Sequence, residues 1–209
     1  MAFPPGGTYF DTIKCSFTAV PVDSSKDNAI PTTQFLEASE SLTTLFDVLG
    51  SAAFKPVKND MLGNVKKIRD RQLAAPLESE TLQSLVINEL KTKKHTATEG
   101  LLWLTRRLIY RSGLDFTAQS LRANLQNPSD ELSTSFRAAY GNTLKPHHSF
   151  VIKPIFSAAM SATPYRKDFY AKLGDDQERV QKELRDWLGA LETVIETLNR
   201  FMASKAAKW

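Results

Sequence analysis

Four polar residues within residues 54–71 recur at the spacing of one helix face. Asp60, Asn64, Lys67 and Arg71 stand at positions i, i+4, i+7 and i+11. A carboxylate only accepts hydrogen bonds, an amide accepts and donates, and an ammonium only donates. Such a row can therefore bind an uncharged, hydroxyl-rich ligand from several sides. The same spacing is more often an ordinary solvated helix face, so the row alone does not decide between these interpretations.

The segment that carries this row also has an apolar face. Val57, Met61, Val65 and Ile68 follow one another at three- and four-residue spacing. Pro56 precedes them and suits the first turn of a helix, where its missing N–H costs nothing. The pattern predicts a helix from Pro56 to the end of the polar row, with its apolar side packed against the core.

Helical periodicity continues along most of the chain, and no strand alternation of useful length occurs. Thr96 is predicted to cap the helix that begins there, with Glu99 at the reciprocal position. Besides the helix that begins at Pro56, the predicted helices run from Thr33 to Gly50, Leu77 to Leu90, Thr96 to about Ser112, Glu131 to about Leu144, Ser149 to Ser161, Thr163 to near Gly174, and Asp176 to about Ala203.

Residues 1–31 differ from the rest because they are rich in proline and glycine and show little periodicity. They predict an extended arm laid over the domain, with Phe3, Phe10, Phe17 and Val20 as its anchors. The length of 209 residues suits one large domain with a substantial core, and no linker is visible.

Composition excludes several classes of function. With 27 Lys+Arg and 23 Asp+Glu, the net charge is too small to indicate a nucleic-acid partner, and the basic residues are spread too evenly along the chain. A single cysteine, Cys15, excludes an internal disulfide framework and fits a reducing compartment. Neither an N-terminal apolar segment nor an apolar run near 18 residues occurs, so we expect a cytoplasmic protein that meets membranes only transiently. No Walker-type glycine loop, no nucleophile elbow and no metal-ligand spacing beyond the adjacent pair His147-His148 occurs. We therefore expect that the protein binds no cofactor and no metal and is not an enzyme.

The stretch from Phe54 to Lys67 resembles the Asp-x-x-x-Asn-x-x-Lys signature of the glycolipid transfer protein family, including Phe-x-Pro and the glycine before the asparagine. The similarity runs from Thr33 to Met202, with the blocks in the family's order, and is nearest to the fungal heterokaryon-incompatibility branch. Other matching blocks are Phe35-Leu36-Glu37-Ala38, Leu45 to Ser51, Leu102-Trp103-Leu104, His148 to Phe156, Ala162-Thr163-Pro164-Tyr165 and Asp168-Phe169.

This resemblance implies a fold and an organisation. The fold would be all-α, a two-layer sandwich of about eight helices that encloses one lipid pocket. Residues 1–209 would form a single glycolipid transfer protein domain, with residues 1–31 as its extended arm. We expect a monomer.

The resemblance also implies a headgroup site. Asp60, Asn64 and Lys67 would bind the first sugar of a glycosphingolipid, and Trp103 would lie under its C–H face. A pyranose has polar hydroxyls around a flatter C–H face, so these residue types fit it. Without the resemblance, Trp103 is more simply interpreted as a core tryptophan of a central helix.

A histidine next to this site would bind the ceramide amide. The resemblance gives that role to His148, which lies eight residues before Phe156, rather than to its neighbour His147. His148 would donate to the amide carbonyl while Asp60 accepts from the amide N–H. A buried amide needs both partners, since leaving one group unpaired costs roughly 1–3 kcal/mol.

Two further sets of residues follow from the resemblance, although apolar residues of this kind are more often plain core. The hydrophobic tunnel would be lined by Phe46, Val57, Met61, Leu108, Tyr110, Leu132, Phe136, Phe156, Ala159, Trp187 and Leu191. The membrane-docking residues would be Phe150, Lys153, Tyr165, Arg166 and Lys167.

The chain departs from animal members of the family in two places. Phe150 replaces a tryptophan and so lacks the interfacial N–H. The chain ends at Trp209, where animal members place a tyrosine near the sugar, and the sequence leaves open whether Trp209 substitutes for it.

The function implied is non-enzymatic transfer of a glycosylceramide between membranes, with preference for simple neutral headgroups. One alternative is a ceramide-1-phosphate transfer protein: that branch has an arginine where Trp103 stands, but Lys67, Arg106 and Arg107 would suit a phosphate. A second is a glycolipid sensor that acts through a protein partner in cell-compatibility or cell-death signalling. A third, hydrolysis with Asp60 and His148 as base and acid, lacks a nucleophile and a paired carboxylate.

Overall fold

The structure is a computed structural model that describes residues 3, 5–50, 52–105 and 113–208. Within these residues the secondary structure is helical, and the only β-type pairing is three isolated bridges. The predicted all-α class is confirmed. The α-helices are α1 (Thr32–Thr43), α2 (Leu45–Val48), α3 (Lys55–Ala74), α4 (Leu82–Glu89), α5 (Thr96–Thr105), α6 (Gly113–Gln126), α7 (Leu132–Asn142), α8 (Ile152–Ser161), α9 (Arg166–Ala171) and α10 (Gln177–Ala203).

The first two helices differ from the single helix expected between Thr33 and Gly50. The chain breaks at Thr44, whose hydroxyl donates to the carbonyl of Ser41 at 2.8 Å and so competes with the helical ladder. Gly50 ends the segment as expected, in a left-handed conformation with φ of 73°.

The helix predicted from Leu77 to Leu90 is shorter in the structure than its apolar pattern indicates. Pro76–Glu78 forms a 3-10 turn, and α4 begins only after Thr81. Thr81 caps α4, because its hydroxyl accepts from the backbone N–H of Ser84 while the Ser84 hydroxyl accepts from the backbone N–H of Thr81.

The N-terminus of α5 is held by a buried carboxylate from α4. Glu89 accepts from the backbone N–H groups of Ala97 and Thr98, at 2.9 and 2.6 Å, and from the Thr98 hydroxyl. The predicted capping role of Thr96 is therefore taken by Glu89, which complements the positive end of the helix dipole. The expected continuation of this helix to Ser112 lies outside the described residues.

Helix α6 is not among the helices predicted above. It packs against α5, α7 and α10 and thus lies at the centre of the fold. Small polar residues make up part of its buried surface, and they are satisfied within the helix: Thr117 donates to Gly113 O and Ser120 to Phe116 O. Buried threonine and serine weaken the apolar pattern from which a helix is predicted.

The N-terminal arm covers the long helix α10 with short turns. Phe17 and Val20 are buried, and Phe3 and Phe10 are partly buried against the core, as their predicted anchoring role requires. The rings of Phe10 and Phe17 both contact Trp187 of α10.

Tyr9 is a further buried residue of the arm and gives a testable pH dependence. Its hydroxyl donates to Ser41 O at 3.1 Å and lies 2.9 Å from the Thr44 hydroxyl. Burial raises the pKa of Tyr9 to about 12. Above pH 10 the unfolded phenol ionises while the folded one stays neutral, so the free energy of unfolding should fall by about 1.4 kcal/mol per pH unit up to pH 12.

Urea unfolding of the wild type and of Tyr9→Phe isolates this effect from other titrating groups. At pH 8 the wild type should be more stable by about 1 kcal/mol, the value of its hydrogen bonds. The advantage should shrink above pH 10 and reverse by about pH 12. A difference between the two proteins that does not change with pH would contradict the prediction.

Candidate headgroup site

The polar row on α3 is joined by hydrogen bonds. Asn64 Nδ2 donates to the backbone oxygen of Asp60 at 3.0 Å, and Lys67 Nζ donates to Asn64 Oδ1 at 2.9 Å. Asn64 is buried, Lys67 is half-buried and Asp60 is exposed. The row thus begins at the surface and passes inward, with the Asn64 amide orientation determined by a donor and an acceptor on either side.

The apolar face predicted beside the row is present. Val57, Met61, Val65 and Ile68 are all buried in the main core. Arg71, the last member of the predicted row, instead forms an ion pair with Glu78, a residue of the turn that follows α3. The hydrogen-bonded part of the row is therefore its first three members.

Helix α5 lies directly against this row at Gly100. A Cβ placed on Gly100 would lie 2.9 Å from the backbone oxygen of Asn64 and 3.2 Å from Lys67 Cβ. Such distances are shorter than van der Waals contact, so only glycine allows α5 to approach α3 this closely. Trp103 follows one turn later on the same helix and is half-buried, in contrast to a fully enclosed core tryptophan.

His148 lies in a separate aromatic cluster after α7. It is buried, its Nδ1 lies 3.0 Å from the Tyr140 hydroxyl, and its ring centroid lies 4.2 Å from that of Phe156. His147 belongs to the 3-10 turn Lys145–His147. The turn Ala52–Phe54 contacts both α3 and α8 and so links the helix that carries the polar row to the helix that carries Phe156.

The predicted tunnel residues that the structure describes are all buried in one continuous core. Their contacts differ, since Phe136 packs on Phe54 and Phe116, whereas Trp187 faces the N-terminal arm. Leu108 and Tyr110 lie outside the described residues. The described members are Phe46, Val57, Met61, Leu132, Phe136, Phe156, Ala159, Trp187 and Leu191.

A cavity of about 320 Å³ lies where α3 begins and is lined by one of these residues, Phe46, together with Phe54, Lys55 and Lys58. Asp47 also lines it and forms an ion pair with Lys58. The lining thus combines two aromatic rings with charged groups of both signs.

The predicted docking residues divide into two groups. Phe150 and Tyr165 are 85% and 73% exposed, Lys167 is exposed and Lys153 is half-buried. Arg166 forms hydrogen bonds within the protein, since its guanidinium donates to the backbone and side-chain oxygens of Asn124. These bonds connect α9 to α6.

Sequence reasoning missed two apolar residues beside Phe150. Val151 and Ile155 are 56% and 44% exposed, and their spacing of four residues places them on one side of the start of α8. The sequence offered a signal, because Val151 is adjacent to Phe150 and Ile155 follows one helical turn after Val151. No helix in the described part of the chain is both long and apolar enough to cross a membrane.

Comparison with known proteins decides the family. The sequence profile described as Glycolipid transfer protein (GLTP) matches residues 30–175, which is more than half of the chain. The chain belongs to the glycolipid transfer protein family. A protein named glycolipid transfer protein from Aureobasidium melanogenum is 74% identical over 208 residues, covering 100% of this chain and 99% of that protein.

Solved structures agree with this membership. The crystal structure of HET-C2, described as a fungal glycolipid transfer protein, matches with 63% identity and a TM-score of 0.90, covering 97% of this chain and 100% of that one. A structure described as showing how FAPP2 selects simple glycosphingolipids using the GLTP-fold matches with 31% identity and a TM-score of 0.82, covering 97% and 98%. The resemblance seen in the sequence, and the fold that it implied, are confirmed.

Proposed function

We propose that this glycolipid transfer protein family member extracts a glycosylceramide from one membrane, carries its alkyl chains in the helical interior, and delivers it to another membrane without enzymatic chemistry. Family membership and the 74% identical relative named glycolipid transfer protein support the proposal. In it, residues 1–209 act as one monomeric domain from the cytoplasm. The single observation that carries it is the polar row of α3, joined by hydrogen bonds and pressed against the helix of Trp103 at Gly100.

Headgroup recognition uses four side chains. The Asp60 carboxylate accepts from sugar hydroxyls, and the Lys67 ammonium, with one of its three donors on Asn64, donates to sugar oxygens. Trp103 supplies an apolar plate for the C–H face of the ring. None of these contacts requires a charge on the ligand, which is why a simple neutral sugar fits better than a phosphate.

The ceramide amide is bound by one acceptor and one donor. Asp60 accepts from the amide N–H, and the buried His148 donates to the amide carbonyl. Pairing both amide groups matters because the amide enters an apolar interior, where an unpaired group costs roughly 1–3 kcal/mol.

The alkyl chains supply affinity but not selectivity. Burial of a CH₂ group is worth about 0.8 kcal/mol relative to water. In a bilayer, however, the alkyl chains of the lipid are already buried away from water. Moving the chains from bilayer to protein is therefore nearly neutral, and the headgroup contacts decide which lipid is taken. The exchange needs no energy source.

Vesicle transfer with purified protein tests the function. Donor vesicles carry fluorescent galactosylceramide, glucosylceramide or ceramide-1-phosphate, and acceptor vesicles carry none. We expect transfer of both glycosylceramides, at least tenfold faster than of ceramide-1-phosphate. Faster transfer of the phosphate would favour a ceramide-1-phosphate transfer protein. Binding of glycosylceramide without transfer would favour a sensor that acts through a protein partner.

Membrane docking is proposed at the start of α8 and α9. Phe150, with the exposed Val151 and Ile155, presents apolar surface, and Tyr165 lies exposed next to the cation of Lys167. An exposed ring can enter the interfacial region while a nearby ammonium meets lipid phosphates.

Phe150→Ala is expected to slow glycosylceramide transfer about fivefold, because the interface loses its most exposed aromatic ring, worth on the order of 1 kcal/mol after partial insertion. The ratio of glycosylceramide to ceramide-1-phosphate transfer should stay unchanged, since no headgroup contact is lost. Leu77→Ala is the matched control, because Leu77 is 87% exposed but lies after the other end of α3. Equal rates for the two variants would place docking elsewhere.

A further inference from the structure

Tyr140, His148 and Phe156 form a cluster that contains the histidine proposed to bind the ceramide amide. The Tyr140 hydroxyl and His148 Nδ1 lie 3.0 Å apart, and both side chains are buried. Phe156 stacks on Tyr140 with an interplanar angle of 14° and lies 4.2 Å from the His148 ring. The imidazole thus has a hydrogen-bond partner at one nitrogen and is in contact with the Phe156 ring, which is tilted by 58° to it.

The direction of that hydrogen bond determines which imidazole nitrogen carries the proton. If Nδ1–H donated to Tyr140, the phenol would still have its own O–H to place. Among the described residues His148 is the one hydrogen-bond partner of the Tyr140 hydroxyl. The O–H would then be buried without an acceptor, which is costly, whereas a phenol that donates to Nδ1 leaves no donor unpaired.

The protonation state of the phenol agrees with this direction. Burial raises the pKa of Tyr140 above its ordinary value. The hydroxyl therefore keeps its proton across the neutral pH range and remains a donor.

We propose that Tyr140 is a positioning residue: its hydroxyl donates to His148 Nδ1, which holds the neutral imidazole as the Nε2–H tautomer and presents Nε2–H as the donor to the carbonyl of an amide-containing lipid. This role rests on the proposed function, because the Nε2–H tautomer affects binding only if the carbonyl of a bound lipid accepts from it. A neutral imidazole has one N–H, so whichever group binds Nδ1 decides what Nε2 can do. With the proton on Nδ1, Nε2 would be an acceptor and would repel a carbonyl oxygen.

Nitrogen-15 NMR of the imidazole groups tests the tautomer without any lipid. The chain has three histidines, so the signals of His148 are assigned by their loss in His148→Gln. At pH 8 the wild type should show His148 protonated on Nε2. In Tyr140→Phe, which keeps the ring stacked on Phe156, the Nδ1–H form should become substantially populated. A wild-type His148 protonated on Nδ1, or a tautomer that does not respond to Tyr140→Phe, would overturn the proposal.

Transfer of galactosylceramide by the same proteins tests the consequence. Tyr140→Phe should lower the initial rate about tenfold, and Tyr9→Phe, which removes another buried hydroxyl far along the sequence, should leave it unchanged. Equal rates for Tyr140→Phe and the wild type would overturn the role of Tyr140 in binding. A wild type that shows the Nε2–H tautomer but transfers no glycosylceramide would instead refute the proposed function, so the two failures are distinguishable.

Discussion

Asp60→Val should lower the rate of glycosylceramide transfer at least a hundredfold and leave the fold intact. The carboxylate is proposed to accept from a sugar hydroxyl and from the ceramide N–H, and a hydrogen bond to a charged group is worth about 1.5–3 kcal/mol. Loss of two such bonds exceeds the roughly 2.7 kcal/mol that corresponds to a hundredfold change. Asp60 is exposed on α3, so valine should not disturb the core.

Initial rates of vesicle transfer measure the effect, and circular dichroism with thermal unfolding checks the fold. Asp70→Val is the matched control, because Asp70 is an exposed aspartate of the same helix, paired with Lys66 away from the row. Its transfer rate should stay within twofold of the wild type. Transfer by Asp60→Val at the control's rate would remove Asp60 from the headgroup site and leave the polar row as a solvated face.

Gly100→Ala should lower the transfer rate between tenfold and a hundredfold. The new methyl group would lie 2.9 Å from the backbone oxygen of Asn64, and backbone cannot swing aside as a side-chain end can. Helix α5 must therefore move away from α3, and Trp103 moves with it relative to Asn64 and Lys67. Binding sites of this kind tolerate displacements of only about 0.5 Å.

Overpacking should also reduce the free energy of unfolding, by about 1–3 kcal/mol. Gly63→Ala is the matched control: it is the same change on α3, where an added Cβ meets nothing within 4 Å. It should keep the transfer rate and gain up to about 1 kcal/mol of stability from helix propensity. If both alanine variants transferred at the same rate, close approach of α5 to α3 would not be needed for headgroup binding.

The helices predicted well are those whose signals are local. Helix α10 begins after Asp176, whose carboxylate accepts from the backbone N–H of Arg179, and its apolar stripe is buried as its periodicity indicates. Helix α3 contains the predicted polar row beside its buried apolar face. In both cases residues within a few turns of one another determine the helix, so their spacing in the sequence is sufficient to predict it.

The elements that were missed depend on distant contacts. Helix α6 is central although its sequence is rich in small polar residues, because its neighbours α5, α7 and α10 bury it from several sides. The cap of α5 comes from Glu89, a residue of the preceding helix whose role cannot be seen from the α5 sequence. Propensity and pattern do not record such tertiary contacts.

The predicted docking residues show the same difference between local signals and distant contacts. The exposed rings of Phe150 and Tyr165 agree with their predicted docking role, which stays a prediction. Arg166, assigned to the same group by the family resemblance, donates to the oxygens of Asn124 in the structure. Charge identifies a residue that can meet a phosphate, but only the folded chain shows whether a nearer acceptor takes it first.

The sequence by itself determined the helical class, the family resemblance, and the common face of Asp60, Asn64 and Lys67, because helical geometry converts spacing along the chain directly into direction in space. The tertiary structure decided that Gly100 sets the distance between α3 and α5, and that Tyr140 reaches His148 Nδ1. These contacts arise where separate segments pack together. Their distances depend on how all the helices fill the interior at once, which no local pattern contains.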